Sequence, residues 1–468
     1  MKLKIINNHD GMLLPLVLVF GTLTMIILGG VVSWGLLNMK AARQAVKREV
    51  AVQIAESGVE YYRWHLAHAP TDYQDGTGVA GPYVHQFYDK SGDQIGQFTL
   101  EITPPPIGSS IVTVKSAGKS STNFFGARTI TMRLAKPSLA KYAVAASSTM
   151  RFGAGTMVSG PIHSNGGIRF DGFTDNIITS ALASYNDPDH TGGEEFGVHT
   201  HDSPIDPLPP AAVPSRPDVF KVGRQFPVPR VDFTGLTADM SQMKTDAIAH
   251  GFYRANSGSL GYNVVLKTND TFDLSQVTSF KKKPSDCDNS TWSIKNETAP
   301  VNYNLPANGL IFLEDNIFVE GKINTARVSI VAAVFPDDPT TRKSITVNNN
   351  LIYTNYDGRD VISLIAQKDI NVGLFSQDIL RIDAALVAQK GRVGRYHYNS
   401  DCGENYIRET ITLHGMIATN QRYGFAYTDN TGYKNRNISY DGNLLLSPPP
   451  SFPQTSDQYI TMSWEETK

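Results

Sequence analysis

An uninterrupted apolar run opens the chain, and a helical pattern continues beyond it. Residues 12–39 contain no charged residue, and about 20 apolar residues are enough to cross a bilayer as a helix. Apolar positions then recur at spacings near three, four and seven, the period of one helix face. They are Ala45, Val52, Ala55, Val59, Tyr62 and Leu66. Pro70 must end the helix. The pattern predicts one long helix within 12–69, membrane-spanning first and amphipathic afterwards.

Four short segments of alternating apolar and polar residues follow a turn-rich connection at 70–82. Turn residues separate the segments, which is typical of antiparallel strands joined in chain order. The segments are 83–89, 95–104, 111–118 and 127–135. We therefore predict a small antiparallel β domain over 70–137.

Short apolar segments that end in the same sequence pattern dominate the chain from residue 138 onward, and we interpret them as strands. Apolar and small residues alternate in them and lead to an amide. The amides are Asn165, Gln367, Gln389 and Asn420. Leu364 and Leu386 are 22 residues apart, which suits one rung of a solenoid. We predict a large parallel β-helix over 138–447, with the amides stacked in ladders at a turn. A pair of β-sandwiches stays open, because the hairpin-type turns 308–309 and 357–358 fit that fold.

Two Pro-rich segments interrupt the strand pattern. The first belongs to a loop-rich insertion at 184–305 and cannot form a regular helix or a central strand. An amphipathic helix near 238–250 follows it, with Thr234 or Thr237 as the cap. The second lies in 448–468, and we expect it to cover an open end of the solenoid.

Charge and cysteine content exclude several classes of protein. The chain has 42 Lys and Arg against 44 Asp and Glu, a net charge of −2, whereas proteins that bind nucleic acid are usually basic. We therefore predict no nucleic-acid partner. Cys287 and Cys402 are the two cysteines, too few for a Cys-rich zinc module. One disulfide between them stays open and would suit an oxidising compartment.

Histidines and carboxylates are concentrated at 186–202. His199 and His201 are two residues apart, so on a strand they face the same side, as some zinc or nickel sites require. His190 lies nearby. No spacing of the H-E-x-x-H type is present. These three histidines are candidate metal ligands, and the alternative is an ordinary polar loop that binds no metal. We predict no cofactor.

Aromatic residues are concentrated in two late segments, 391–398 and 422–440. Tyr-rich loops on a rigid scaffold suit contact with a surface ligand such as a polysaccharide, and packing within the solenoid is the alternative. The candidate contacts are Tyr396, Tyr398, Tyr423 and Tyr427. Acidic residues in the aligned rungs do not fall at equal offsets, so no catalytic pair can be named and we predict no enzyme.

The N-terminal region resembles type IV pilins and pseudopilins, in particular PilX-type segments. A short polar leader ending in Gly11, the apolar run and residues 51–66 carry the resemblance. It implies cleavage between Gly11 and Met12 and association with other pilin-like subunits or an assembly platform. Pilins usually carry Glu at the fifth mature position, and this chain has Leu16 there. Basic residues after the span favour a cytoplasmic C-terminus by the positive-inside rule, whereas the resemblance implies the opposite orientation.

The later region resembles the DUF4900 family of uncharacterised β-rich domains through 309–323, 362–373 and 382–391. That resemblance implies an envelope-exposed domain without catalytic residues.

These patterns and resemblances together predict a single-pass membrane protein with an extracytoplasmic C-terminal solenoid. Its function would be that of a non-enzymatic minor pilin or pseudopilin in pilus-like assembly or surface adhesion. Membrane lipid, pilin-like subunits and surface polysaccharide are the expected partners. Four glycines would allow close helix packing in the membrane. They are Gly21, Gly29, Gly30 and Gly35. A membrane-anchored carbohydrate-active enzyme and an envelope protein without a pilus role stay open as alternatives.

Overall fold

The structure is a computed structural model that describes residues 13–105, 110–121, 127–233, 236–454, 456 and 458–467, with only the backbone of 236–238. The chain forms two compact units. The first contains the described residues up to Thr103, Val112–Leu134 and the chain end from Ser463, and the second contains the described residues of Pro104–Ile111 and Ala135–Met462.

The first unit consists of one long helix and a small antiparallel sheet. Helix α1 spans Leu13–His68 and ends two residues before Pro70. The strands are β1 Tyr83–Tyr88, β2 Gln94–Thr103, β3 Val112–Ser120 and β4 Arg128–Ala135. They pair in chain order, each antiparallel to the next, which confirms the predicted small antiparallel sheet. A C-terminal strand, Ile460–Thr467, lies beside β4 in the same sheet.

Helix α1 has two halves with different surroundings. Every residue from 13 to 43 is exposed. From Ala51 onward one face packs against β2 and β3, because its apolar residues recur every three or four positions. The buried residues are Ala51, Ile54, Ala55, Gly58, Val59, Tyr62 and Leu66. The predicted stripe is therefore correct from Ala55 onward, whereas Ala45 is exposed and Val52 is half-buried.

The second unit is a parallel β-helix with two further helices, α2 Leu236–His250 and α3 Asn443–Leu446. Short 3₁₀ turns occur at Leu139–Lys141, Ser400–Cys402 and Glu404–Tyr406. The strands are β5 Val144–Ala146, β6 Met150–Phe152, β7 Thr156–Ser159, β8 Ile162–Ser164, β9 Ile168–Phe170, β10 Phe173–Thr174, β11 Ile178–Ser180, β12 Ser184–Tyr185, β13 Glu195–Phe196, β14 Val198–His199, β15 Arg224–Gln225, β16 Phe252–Arg254, β17 Tyr262–Leu266, β18 Thr271–Phe280, β19 Ile294–Glu297, β20 Val301–Asn304, β21 Leu310–Leu313, β22 Ile317–Lys322, β23 Arg327–Ala332, β24 Ile345–Thr346, β25 Leu351–Ile352, β26 Val361–Ala366, β27 Ile370–Val372, β28 Ile379–Ala388, β29 Val393–Arg395, β30 Ile407–Thr419 and β31 Gly432–Tyr440.

Successive rungs of the solenoid pair in parallel along one continuous ladder. Leu364 pairs with Leu386, which confirms the predicted 22-residue rung. The ladder runs from β16 through β21, β23, β26, β28 and β30. It then continues from β30 to β5, β8, β11 and β15. The first rungs in the chain therefore stack on the last one, and the parallel ladders exclude the β-sandwich alternative.

A column of aliphatic side chains fills the interior along this ladder. Ile330, Leu364, Leu386 and Ile417 occupy equivalent positions in four consecutive rungs, and Val144 continues the column across the β30–β5 pairing. All five residues are completely buried. Burying one such side chain contributes about 1.5–3 kcal/mol, so the stack is stabilised chiefly by its aliphatic interior.

The outward-facing residues of the same ladder are covered by α2 and by the Pro-rich tail. Met240 and Met243 of α2 and Phe452 of the tail belong to one apolar cluster with Val331 and Val387 of the sheet. Helix α2 agrees with the helix predicted near 238–250, while its proposed caps, Thr234 and the side chain of Thr237, lie outside the described residues. The tail lies on the side of the solenoid instead of at its expected place on the open end.

Antiparallel strands cover the end of the stack near β17. Strand β18 pairs antiparallel with β17 and with β20, and it places Phe272 and Leu274 in the main core. This hairpin blocks continuation of the parallel ladder, which is how a solenoid end avoids edge-to-edge association.

The predicted amides share one position in successive rungs, but the hydrogen bonds of Gln367 to Val334 are not those of an amide ladder. Gln367, Gln389 and Asn420 each directly follow the paired strand positions Ala366, Ala388 and Thr419. The Gln367 amide instead donates to the carbonyl oxygen of Val334 at 2.9 Å and accepts from the Val334 N–H at 3.0 Å. The Gln367 side chain therefore satisfies the backbone of the turn in the neighbouring rung.

Candidate metal centre and adjoining cleft

A hairpin near one end of the stack carries the histidine and carboxylate residues of 186–202. Strands β12 and β13 are antiparallel, with Tyr185 opposite Glu195, so their connecting loop brings Asp187 and His190 back over the strands. Strand β14 then pairs in parallel with β9, which places His199 opposite Arg169. The rings of His199 and His201 lie 5.0 Å apart, on one side of the chain as their spacing predicts.

Five side chains of this hairpin form two overlapping groups of potential metal ligands. Asp187, His199 and His201 form one group, and His190, Glu195 and His201 form the other. Within each group, one donor atom from every residue lies within 4.8 Å of the others. The Asp187 Oδ2 and His199 Nε2 atoms are 3.6 Å apart. The Glu195 Oε1 atom is 3.2 Å from His190 Nδ1 and 3.2 Å from His201 Nε2.

Three donor atoms of this cluster are buried and unsatisfied. His199 is 0% exposed, Glu195 is 1% exposed and Asp187 is 2% exposed. Among the described residues, Asp187 Oδ2, Glu195 Oε2 and His199 Nε2 have no hydrogen-bond partner. Leaving a buried polar atom without a partner costs about 1–3 kcal/mol, and more for a charged group. A native site that retains three such atoms therefore requires an explanation.

The hydrogen bond on the far side of His199 defines which ring nitrogen faces the cluster. Its Nδ1 lies 3.4 Å from the carbonyl oxygen of Phe196, which only accepts, so Nδ1 carries the proton. In the neutral ring, Nε2 then presents a lone pair toward Asp187. Two acceptors that face each other across 3.6 Å repel unless a cation or a proton lies between them.

Arg169 is a charged side chain that contacts carboxylates in and beside the cluster. The Arg169 Nη1 atom is 3.6 Å from Asp187 Oδ2, while Nε donates to Asp171 Oδ2 at 2.7 Å. Burial raises the pKa of Asp187, whereas the hydrogen bond from the Asp189 N–H and the charge of Arg169 lower that pKa. Burial, with the charge of Arg169, lowers the pKa of His201 and favours its neutral ring.

A cleft of about 750 Å³ adjoins the histidine cluster. His201 belongs both to the cluster and to the wall of the cleft. Basic side chains outnumber acidic ones around it. The basic residues are Arg151, Arg392, Arg422, Lys434 and Arg436, and the acidic ones are Asp171, Asp189 and Asp202. The cleft is therefore polar and positively charged, and it opens beside the metal-ligand cluster.

The four tyrosines proposed as ligand contacts have different surroundings. Tyr427 lines the cleft, donates to the Arg395 carbonyl oxygen at 2.6 Å and accepts from Arg392 Nη2 at 2.6 Å. Tyr396 is half-buried and stacks on Trp292 at 5.5 Å. Tyr398 is 1% exposed, so the prediction that it contacts a ligand at the surface is wrong. Tyr423 borders the cleft but is only 4% exposed, because its ring packs against Phe152 and Phe425. The prediction that Tyr423 is an exposed contact is therefore also wrong.

The two cysteines form a disulfide bond between the insertion and a late loop. Cys287 and Cys402 are separated by 115 residues and are joined in the structure. Both are buried, and they form a small apolar cluster with Leu374 and Tyr398. The pairing that sequence alone left open therefore holds the insertion against the late rungs.

The residues proposed for membrane packing and processing lie at the start of the chain. Gly21, Gly29, Gly30 and Gly35 lie in the exposed half of α1, where a β-carbon would meet no atom within 4 Å. Gly11 and Met12, the expected cleavage site, lie outside the described residues.

Comparison with known proteins leaves the family open. No protein-family model matches the chain, and no curated protein matches it. One solved structure that matches is that of the competence-associated pilin ComZ from Thermus thermophilus. The two chains are 11% identical, and the match covers 90% of this chain and 97% of that chain with a TM-score of 0.30. A likeness at this level does not establish a shared fold, and the PilX-type and DUF4900 resemblances stay unconfirmed.

Proposed function

We propose that this protein is a membrane-anchored, non-enzymatic pilin-like or pseudopilin-like subunit that displays a β-solenoid outside the cytoplasm. The division of helix α1 carries this proposal. Its residues 13–43 are all exposed and largely apolar, whereas residues 51–66 pack one face on the small sheet. The packed half of the helix has the small sheet as its apolar environment, so the exposed apolar half requires another one.

The exposed half of α1 has the dimensions of a membrane span. An α-helix rises 1.5 Å per residue, so residues 13–39 extend about 40 Å, more than the roughly 30 Å of a bilayer core. Leu14, Ile26 and Leu37, three of its large apolar side chains, are each more than half exposed. Exposed apolar surface costs about 25 cal/mol per Å², and lipid or the helices of neighbouring subunits would remove that cost.

The disulfide supports an extracytoplasmic solenoid. Disulfides such as Cys287–Cys402 form and persist in oxidising compartments and are rare in the cytosol. This observation favours the orientation implied by the pilin resemblance over the orientation favoured by the basic residues after the span.

Membrane anchoring is tested on the full chain by separating membrane and soluble fractions. Leu28→Arg should shift the protein into the soluble fraction, because a charge near the centre of a span costs about 2.5–3.5 kcal/mol. Ala45→Arg, also at an exposed position of α1 but beyond the apolar run, is the matched control and should stay with the membrane. Equal partitioning of the two variants would overturn the anchor.

Orientation and processing are tested in the same cells. Protease added to intact spheroplasts should digest the solenoid, and the mature N-terminal peptide measured by mass spectrometry should begin at Met12. Digestion only after lysis would contradict an extracytoplasmic solenoid. An intact Met1 with an accessible solenoid would leave an envelope protein without pilin-type processing.

Association between subunits is tested at the helix glycines. Gly30→Ile should reduce chemical cross-linking between copies, because small residues let membrane helices approach closely. Leu37→Ile, at another exposed position of the same half, should leave cross-linking unchanged. Full cross-linking in the Gly30 variant would contradict packing through this glycine.

A further inference from the structure

We propose that Asp187, His199 and His201 bind one divalent transition-metal ion of the Zn²⁺ class, at the hairpin beside the cleft. This inference does not depend on the proposed membrane or pilus role. It rests on the distances between the donor atoms of the three side chains, on the burial of Asp187 and His199, and on the absence of hydrogen-bond partners for Asp187 Oδ2 and His199 Nε2 among the described residues.

The distance between Asp187 and His199 fits two ligands of one ion, and a donor atom of His201 lies within 4.8 Å of both. Two ligands that each lie about 2.1 Å from a metal at angles of 90–110° are separated by about 3.0–3.4 Å. The Asp187 Oδ2 and His199 Nε2 atoms, 3.6 Å apart, need to move by only a few tenths of an ångström to reach that range. At 3.6 Å they are too far apart for a good hydrogen bond.

An ion would also satisfy two of the three unpartnered atoms, Asp187 Oδ2 and His199 Nε2. The His199 ring donates through Nδ1 to the Phe196 carbonyl oxygen, which leaves the Nε2 lone pair directed at Asp187. Metal-bound histidines usually donate their second ring nitrogen to a backbone carbonyl or a carboxylate in this way. A cation between Nε2 and Oδ2 would convert two repelling acceptors into two ligands.

Neighbouring residues form hydrogen bonds that orient His201, the third ligand. Glu195 Oε1 lies 3.2 Å from His201 Nε2, an arrangement in which a buried carboxylate orients the ring and increases its basicity. The backbone N–H of His201 donates to Asp171 Oδ1 at 2.8 Å. His190, at the exposed side, contacts the same Glu195 oxygen. Arg169 forms ion pairs with two of the neighbouring carboxylates, Asp171 and Asp187.

The donor set selects the chemical class of the ion. Two imidazoles and one carboxylate suit Zn²⁺ and similar borderline metals, whereas Ca²⁺ and Mg²⁺ prefer all-oxygen sites. The ion would tie the β12–β13 loop, through Asp187, to the segment after β14. Since His201 also lines the cleft, ion binding would fix one wall of that cleft.

The experiment uses the full chain in detergent, purified without a polyhistidine tag and treated with EDTA. Titration with ZnCl₂ in a calorimeter should give one site per chain. Asp187→Asn and His199→Gln should each weaken Zn²⁺ binding at least tenfold. His397→Gln is the matched control, because His397 forms an exposed pair with Asp429 at 2.8 Å outside the cluster. That variant should bind Zn²⁺ like the wild type.

Two further measurements separate loss of the site from loss of folding. Hydrogen exchange should show the same protection in β28 and β30 for the variants and the wild type, and Zn²⁺ should slow exchange at 186–201 only when the ligands are intact. Titration with Co²⁺ should produce visible absorption bands that the Asp187 and His199 variants lack. Absence of stoichiometric binding in the wild type, or equal binding by folded variants, would overturn the proposal.

Discussion

Gly118 of β3 contacts the backbone of helix α1 at Ala51 more closely than any side chain would permit. A β-carbon added at Gly118 would lie 2.3 Å from the Ala51 carbonyl oxygen and 2.3 Å from the backbone nitrogen of Ala55. Both atoms belong to the helix backbone and cannot rotate away. The close approach of helix and sheet in the first unit therefore depends on glycine at this position.

We expect Gly118→Ala to weaken the packing between α1 and the sheet by about 1–3 kcal/mol, the usual cost of overpacking. Hydrogen exchange measured by mass spectrometry on peptides covering β3 and residues 51–66 would show faster exchange. Lys119→Ala, at the next and exposed position of the same strand, should change the free energy of unfolding by less than about 0.5 kcal/mol. Unchanged exchange in the Gly118 variant would show that the helix can shift without cost.

The Gln367 amide offers a test of how the turns of the solenoid are held. Replacing it with Leu removes both hydrogen bonds to Val334 and leaves the part-buried N–H and carbonyl groups of Val334 without these partners. We expect a loss of about 1–3 kcal/mol in a chemical unfolding experiment. Gln421→Leu is the matched control, because Gln421 is exposed and makes a 3.3 Å bond to Lys390. Comparable losses for both variants would mean that burial of the amide is unimportant.

The disulfide should contribute measurably to the stability of the solenoid. The double variant Cys287→Ser, Cys402→Ser removes a cross-link over 115 residues, and loss of such a link typically costs about 2–5 kcal/mol. Thermal unfolding should therefore begin at a lower temperature. A reductant should reproduce that decrease in the wild type and have no effect on the double variant. A wild type that is insensitive to reduction would contradict a stabilising role.

Buried tyrosines predict a loss of stability at alkaline pH. Burial raises the pKa of Tyr433 from 10.0 to about 12, and its hydroxyl donates to the Gln377 carbonyl oxygen at 2.7 Å. Burial also raises the pKa of Tyr440 to about 12. Because these values exceed that of the unfolded chain, the stabilisation is complete below about pH 10 and is lost as the pH rises toward 12.

Urea unfolding between pH 9 and pH 12 would measure this dependence, with phenolate absorption as a second signal. The variant Tyr433→Phe cannot ionise at this position, so its stability should fall less steeply with pH than that of the wild type. Parallel pH profiles for the two proteins would rule out Tyr433 as a contributor.

Local patterns were sufficient to predict the regular elements. Pro70 marks the end of α1, and alternation of apolar and polar residues locates the four strands of the small sheet. The spacing of Leu364 and Leu386 correctly predicts a rung, because repeated pairing needs a repeated length. The proline and the alternating pattern each lie within one segment of the chain, and the 22-residue spacing joins two neighbouring rungs.

The remaining features depend on contacts between distant segments. No local pattern indicates that Ile417 pairs with Val144, or that the Pro-rich tail packs beside α2. The i, i+2 spacing of His199 and His201 indicates a shared side, but Asp187 joins them only through the register of the β12–β13 hairpin. Tyr398 was predicted to be exposed because aromatic content alone does not distinguish a surface loop from a disulfide-linked core.

The pairing of β30 with β5 and of β31 with β7 has a consequence for biosynthesis. The ribosome makes β5 and β7 early, but the strands that complete their ladders follow only at the end of the solenoid. Until then the nascent chain carries open strand edges, which are prone to associate with other chains. A chain that stops before Ile407 would keep these edges exposed, so the interior of the stack, and not its tip, is the last part of the solenoid to close.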